Sequence, residues 1–245
     1  MITEESMTKE NDERNIDEDL MSLERILGCV FHDKVHLLTA ITHRSYLNEH
    51  REAKQDHNER LEFLGDAILE LVVTDFLFHK YPKKPEGELT AIRSALVNTV
   101  SLSEASTNLG VNEYLLMSKG ESKDVGRARQ YILANTLEAL IGAMYIDQGY
   151  GASQKFIADL LFPKTELIVE KRLWQDPKSR FQELAQEYSN LTPTYITLGQ
   201  EGPDHDRIFT VGVFLGKEKV AEGKGRAKQE AEQEAALNAV EIKGW

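Results

Sequence analysis

The chain has 245 residues, 41% of them apolar and 29% charged, with a formal net charge of -12. That profile belongs to a globular chain with a core, and it excludes collagen-like, coiled-coil-only and disulfide-scaffold classes. Cys29 is the one cysteine, so no intramolecular disulfide can form and no zinc site can rest on a cysteine cluster. No apolar run reaches the roughly 18 residues of a membrane span. The first residues, Met-Ile-Thr-Glu-Glu-Ser, are acidic and unlike a signal peptide, so the expectation is a cytoplasmic protein with no membrane partner.

The acidity is unevenly placed. Residues 1–24 hold nine acids and two bases, which leaves the remaining 221 residues at only -5 and allows a local basic face. Residues 1–20 are polar and without periodicity, and read as a disordered tail. From Leu23 to about Leu173 the apolar spacing is helical, as in Leu61, Leu64, Ile68 and Leu71, then Leu133, Leu137, Leu140, Ile141 and Met144. The expectation is an all-α domain over 21–173. Past Trp174, Asp176-Pro177 reads as an N-cap followed by proline at the first helical position. The period then switches to two over 194–198 and 208–214, with a short third strand at 219–222 and a last helix at 226–241. That is a small α+β domain, α-β-β-β-α, over 174–245.

Two helical segments carry acids among apolar residues. In Asn58–Val73, Glu59, Glu62 and Asp66 fall at i, i+3 and i+7, on one face of a helix that reads as buried on several sides. In Tyr131–Tyr145, Asn135 and Glu138 fall at i and i+3. An unpaired carboxylate in such a place costs several kcal/mol, so something positive must compensate. The spacing leaves two answers open. One is a structural ion pair with Arg60, Arg93 or another base. The other is a divalent metal. Oxygen ligands without cysteine or interleaved histidine favour Mg²⁺ or Mn²⁺, and such ions meet phosphate oxygens, which points to phosphodiester hydrolysis. A polar stretch at 118–129 carries Lys119, Lys123, Arg127 and Arg129, which read equally as phosphate contacts or as a solvated loop.

The segment N-E-R-L-E-F-L-G-D-A-I-L at 58–69 resembles the signature of bacterial ribonuclease III. T-H-R-S-Y at 42–46, P-E-G-E-L-T at 85–90 and L-E-A-L-I-G-A-M-Y-I-D at 137–147 fit the same family in the same order. The resemblance runs from about Leu23 to Lys243. It implies a homodimeric Mg²⁺-dependent endonuclease for double-stranded RNA, with Mn²⁺ as a substitute. Its products would carry 5′-phosphate and 3′-hydroxyl ends with two-nucleotide 3′ overhangs, and its usual work is maturation of ribosomal RNA precursors and other structured transcripts. Position by position, Asp66 and Glu138 match catalytic carboxylates, and Glu62, Asp66, Asn135 and Glu138 match the metal-holding set. Glu59 and Phe63 match dimer-interface positions. The family usually has aspartate where this chain has Asn135. Either the amide is tolerated, or the chain is a catalytically weak protein that binds duplex RNA.

The C-terminal α-β-β-β-α unit is similar to a double-stranded-RNA-binding domain. The resemblance assigns RNA contacts to Ser179, Gln182 and Glu183 on the first helix, and to His205 in Gly202-Pro203-Asp204-His205. It assigns others to Lys224, Arg226 and Lys228 at the start of the last helix. Shape explains the pattern, because A-form RNA offers a shallow minor groove of 2′-hydroxyls and a deep major groove of phosphates that cations span. Ala227 and Gln229 stand where that family usually has serine and a second lysine. The 176–245 stretch holds nine bases and twelve acids, so its basic patch is local. A structural helical dimer with an RNA-binding appendage is the third reading of the whole chain.

Overall fold

The computed structural model describes residues 15–203 and 207–245. The chain divides into two units between Val169 and Glu170, four residues ahead of the boundary expected after 173. The first is helical: α1 (Ile16–Leu27), α2 (Lys34–Ala40), α3 (Arg44–Glu49), α4 (Glu59–Lys80), α5 (Glu86–Val97), α6 (Thr99–Asn108), α7 (Arg127–Gln148), α8 (Tyr150–Leu161) and α9 (Thr165–Glu170).

The tail expected over 1–20 is corrected at its end, since residues 16–20 are helix. The Asn15 side chain caps α1 by accepting from the Glu18 N–H at 3.4 Å. Asp17, Glu18 and Asp19 sit in the first turn, where the helix dipole favours acids, and Leu20, Leu23 and Leu27 bury at helical spacing. Acids that break the apolar period are here serving a helix start. Residues 1–14 lie outside the described residues.

α7 is the central helix. It buries Leu133, Leu137, Leu140, Ile141 and Met144 and packs against α2, α4, α6 and α8. Each such side chain withdrawn from water contributes about 1.5–3 kcal/mol. Its closest neighbour is α4. There Gly65 and Gly142 let the two backbones touch: a Cβ on Gly65 would overlap the carbonyl of Glu138, and one on Gly142 would overlap the carbonyl of Leu61. α4 itself is not buried on several sides as its composition led us to expect. Leu61, Ile68, Leu69, Val72, Val73 and Leu77 face the core, while Phe63, Leu71 and Phe78 are exposed at 82%, 57% and 64%.

The second unit contains α10 (Pro177–Ser189), β1 (Pro193–Glu201), β2 (Ile208–Leu215), β3 (Glu218–Gly225) and α11 (Lys228–Lys243). Asp176 caps α10 by accepting from the Ser179 N–H at 2.9 Å, with Pro177 at the first helical position. The sheet is antiparallel in the order β1-β2-β3, with Ile196 opposite Gly212 and Gly212 opposite Glu222. Phe181, Ala185, Val213, Leu215, Val220, Ala235, Ala236 and Ala239 form its core. Trp245, uninformative as a terminal residue in the sequence, stacks on Phe181 and Tyr188 at centroid distances of 5.7 and 5.3 Å.

Candidate active site and RNA-binding surface

The glycine contact between α4 and α7 decides what faces what. It sets Glu62 and Asp66, one turn apart on α4, against Asn135 and Glu138, one turn apart on α7. The start of α4 is fixed by Asn58, which is buried. Its amide donates to the Ala40 carbonyl at 3.3 Å, its backbone N–H donates to the Thr42 carbonyl at 3.0 Å, and its own carbonyl accepts from Glu62 at 2.9 Å. Sequence reasoning passed over Gly65 and Gly142, although a glycine costs a helix about 1 kcal/mol relative to alanine and so asks for a packing reason.

The four side chains feel one another. Burial pushes the Glu138 carboxyl up to about 8, with the charges of Asp66 and Glu62 adding to the shift. Glu62 is also raised, first by burial and then by Glu59 and Asp66, while a hydrogen bond from the Asn135 side chain opposes the rise. Among the described residues no cation pairs with Glu62, Asp66 or Glu138. Arg93, one candidate partner, binds Glu70 at 3.2 Å and Thr74 Oγ1 at 2.9 Å instead. The donor set is therefore hard, crowded and without a pairing cation among the described residues, which fits a divalent cation. Among the described residues no three His, Cys, Asp or Glu side chains are already gathered at ligand spacing, so holding an ion here would require the carboxylates to draw together.

Glu59 adds its charge to Glu62 but is itself partnered. It pairs with Arg44 at 3.3 Å and lies 3.8 Å from His57 Nδ1. Phe63 points outward and begins the exposed apolar row that continues through Leu71 to Phe78. In the polar stretch, the Lys119 N–H donates to Glu49 at 3.3 Å. Arg127 and Arg129 belong to the first turn of α7 rather than to a loop. Arg129, half-buried, is tied to the fold by Asn112 Oδ1 at 2.9 Å and by the Met117 sulfur.

In the second unit, Ser179, Gln182 and Glu183 share one exposed face of α10 and line a groove with Gln186 and Glu187. Lys224, Arg226 and Lys228 are exposed at the junction of β3 and α11. The acids nearby are turned to backbone work: Glu230 accepts from the Arg226 N–H at 3.0 Å, and Glu234 accepts from the Lys224 N–H. Lys228 Nζ lies 5.9 Å from the centroid of the Phe209 ring. No side chain caps α11, whose N-cap is Ala227. His205 lies outside the described residues.

Comparison with known proteins matches residues 33–165 to the family described as Ribonuclease-III-like and residues 177–243 to the double-stranded RNA binding motif. A protein named Ribonuclease 3 from Carboxydothermus hydrogenoformans is 47% identical over 92% of this chain and 96% of its own length. Another Ribonuclease 3, from Enterococcus faecalis, is 43% identical over 87% of this chain and 92% of its own. Among solved structures, a nuclease domain of ribonuclease III from Campylobacter jejuni aligns with a TM-score of 0.52 at 39% identity. It covers 59% of this chain and 99% of the domain, and its description refers to a region involved in dimer formation.

Proposed function

Because the chain belongs to the ribonuclease III family and is an endoribonuclease acting on double-stranded RNA, we propose that Glu62, Asp66, Asn135 and Glu138 form its cleavage centre around Mg²⁺, with Mn²⁺ able to substitute. The carrying observation is the set of three carboxylates and one amide set face to face by the α4–α7 contact, with no cation among the described residues to neutralise it. A bound divalent ion supplies an acidified water and neutralises charge on the scissile phosphate. The side chains divide the remaining work. Asp66 and Glu138 hold the reacting centre, and Glu62 and Asn135 complete the oxygen donor set. To hold the ion the carboxylates would be ionised, so the raised Glu138 carboxyl would have to be deprotonated when it does so.

The second unit supplies grip. Ser179, Gln182 and Glu183 meet one minor groove, His205 the next, and Lys224, Arg226 and Lys228 span the phosphates between. The exposed row led by Phe63, with Glu59 beside it, is the dimer contact, since apolar side chains this open on one helix face mark an interface. Paired centres across that dimer cut the two strands to give 5′-phosphate and 3′-hydroxyl ends with two-nucleotide 3′ overhangs. The substrates are structured transcripts such as ribosomal RNA precursors, in the cytoplasm. Among the described residues no helix is long and apolar enough to cross a membrane.

A second reading is favoured by one observation, the neutral amide of Asn135: duplex binding with weak cleavage. Titrating Mg²⁺ or Mn²⁺ into the chain with an end-labelled duplex separates the two. Metal-dependent product of the stated end chemistry is the expected result. Binding without product at any metal concentration would establish the second reading instead.

A further inference from the structure

Two glycines in β3 bring α11 against the backbone of that strand. A Cβ on Gly223 would overlap the Ala231 carbonyl and the Ala235 nitrogen, and one on Gly225 would overlap the Ala231 nitrogen and the Glu230 side chain. The closeness puts one row of α11 side chains, Glu230, Glu234 and Asn238 at i, i+4 and i+8, beside the edge of β3 that faces away from β2. The row meets that edge at every second residue, as the alternation of backbone groups along a strand requires. Asn238 donates from its side-chain amide to the Glu222 carbonyl at 2.8 Å, Glu234 accepts from the Lys224 N–H, and Glu230 accepts from the Arg226 N–H at 3.0 Å. Side chains here stand in for a fourth strand. Two of the three are acids, bonded to the backbone of residues read above as phosphate contacts. By charge alone, an acid in that place opposes a polyanion.

We infer that Glu234 is a positioning residue of the RNA grip: as a hydrogen-bond acceptor, not as a charge, it fixes the β3 backbone that carries Lys224 and leads into Arg226, with Glu230 and Asn238 fixing the residues on either side. The inference rests on the reading of Lys224 and Arg226 as duplex contacts given above. Lys224 lies one residue before the end of β3 at Gly225, on an edge where no further strand pairs with it. Strand ends are where local opening is easiest. Tying the Lys224 N–H to α11 sets where its side chain leaves the strand before any RNA arrives, so less ordering is left to oppose binding. Cations that span a deep groove of phosphates have to stand at set separations, and the backbone under them decides those separations.

Fluorescence anisotropy of a labelled RNA duplex, titrated with the full chain in chelator, tests this. Glu234→Gln and Glu234→Ala remove the same charge, but only the first keeps an oxygen able to accept from Lys224. Glu234→Gln should bind as tightly as the parent or more tightly, and Glu234→Ala should bind roughly three- to tenfold more weakly than Glu234→Gln, the factor for one hydrogen bond. In a chain that also carries Lys224→Ala and Arg226→Ala, the difference between the two should disappear. Hydrogen exchange in Glu234→Ala should quicken around residues 222–226 alone, with α10 and β2 at their parent rates. Equal affinity of Glu234→Gln and Glu234→Ala, above or below the parent, leaves only the charge and overturns the inference. A difference that survives beside Lys224→Ala and Arg226→Ala overturns it too, as does exchange that quickens throughout the unit, which would make Glu234 a support of the fold. Parent affinity in the chain with Lys224→Ala and Arg226→Ala alone would instead remove the reading of those residues as duplex contacts, and with it what Glu234 is there to position.

Discussion

The two units handle charge in opposite ways. In the helical unit, like charges are gathered where two backbones touch, and nothing among the described residues neutralises Glu62, Asp66 or Glu138. In the C-terminal unit, Glu234 and Glu230 accept from the backbone N–H groups of Lys224 and Arg226, and the side chains of Lys224, Arg226 and Lys228 are exposed on a sheet-and-helix frame. The first arrangement gathers acids whose repulsion a small divalent ion would relieve. The second presents a surface that a long polyanion can cover. Chemistry at one phosphate needs the first; grip on many phosphates needs only the second.

The contrast is broken most directly at Glu138. Glu138→Ala should lower duplex cleavage by about a thousandfold or more, as removal of a group acting in the transition state does, while binding of uncleaved duplex stays near the parent value. Gel-shift titration beside a cleavage time course measures both. Cleavage within threefold of the parent would remove Glu138 from the centre. Next in size is Gly65→Ala. The new methyl has nowhere to go against the Glu138 carbonyl, so α4 and α7 must separate, with a destabilisation of about 1–3 kcal/mol or more. Urea unfolding should show it together with loss of cleavage. Retained stability would mean that the helices are not held by this contact.

That glycine marks where the sequence stopped being legible. The helical and strand periods, the Asp176 cap and the carboxylates at i, i+3 spacing are local patterns, and local patterns survive in a one-dimensional reading. What is not local is which helix lies against which. The pairing of Glu62 and Asp66 with Asn135 and Glu138 depends on a backbone approach between residues 77 positions apart, Gly65 and Gly142. The exposure of Leu71 and Phe78 was hidden for a related reason. Apolar residues on most sides of α4 look like core, yet one side of the helix is left open. Residues 16–20 were missed because helix-starting acids and disordered acids have the same composition.

Two carboxylates on α7 give the comparison a pH axis. Glu138 is raised to about 8 by burial and by Asp66 and Glu62. Asp147, nine residues on, is lowered despite burial. It accepts from the His32 and Asp33 N–H groups at 2.9 Å each and lies 3.1 Å from the His32 ring, with 2% of its side chain exposed. The signs follow from linkage. For Glu138 the folded state binds the proton more tightly, so metal-free stability should fall as pH rises from the ordinary carboxylate range, about 4.5, towards 8. For Asp147 the folded state binds it less tightly, so the stability it contributes is present above the ordinary aspartate range and lost as pH falls below about 4. Urea midpoints in chelator across pH 3–9 test both: Glu138→Gln should flatten the upper limb and Asp147→Asn the lower. An upper limb unchanged in Glu138→Gln would show that the crowded site does not control it.

The smallest effect sharpens the other side of the contrast. Lys228 sits at the start of α11, exposed, with its ammonium near the Phe209 ring and no side-chain cap on the helix to compete for a phosphate. One lysine on one phosphate contributes one released counterion, so Lys228→Ala should reduce the slope of log affinity against log salt by about one for duplexes of any sequence. Gln229→Lys, which adds a cation beside it, should raise the slope by a similar amount. Neither change touches the α4–α7 site, so cleavage at saturating RNA should keep its kcat while KM moves in step with binding. A Lys228→Ala variant that lowered kcat at saturation would mean that the C-terminal unit does more than hold the duplex, and the division of labour between gathered acids and displayed bases would have to be redrawn.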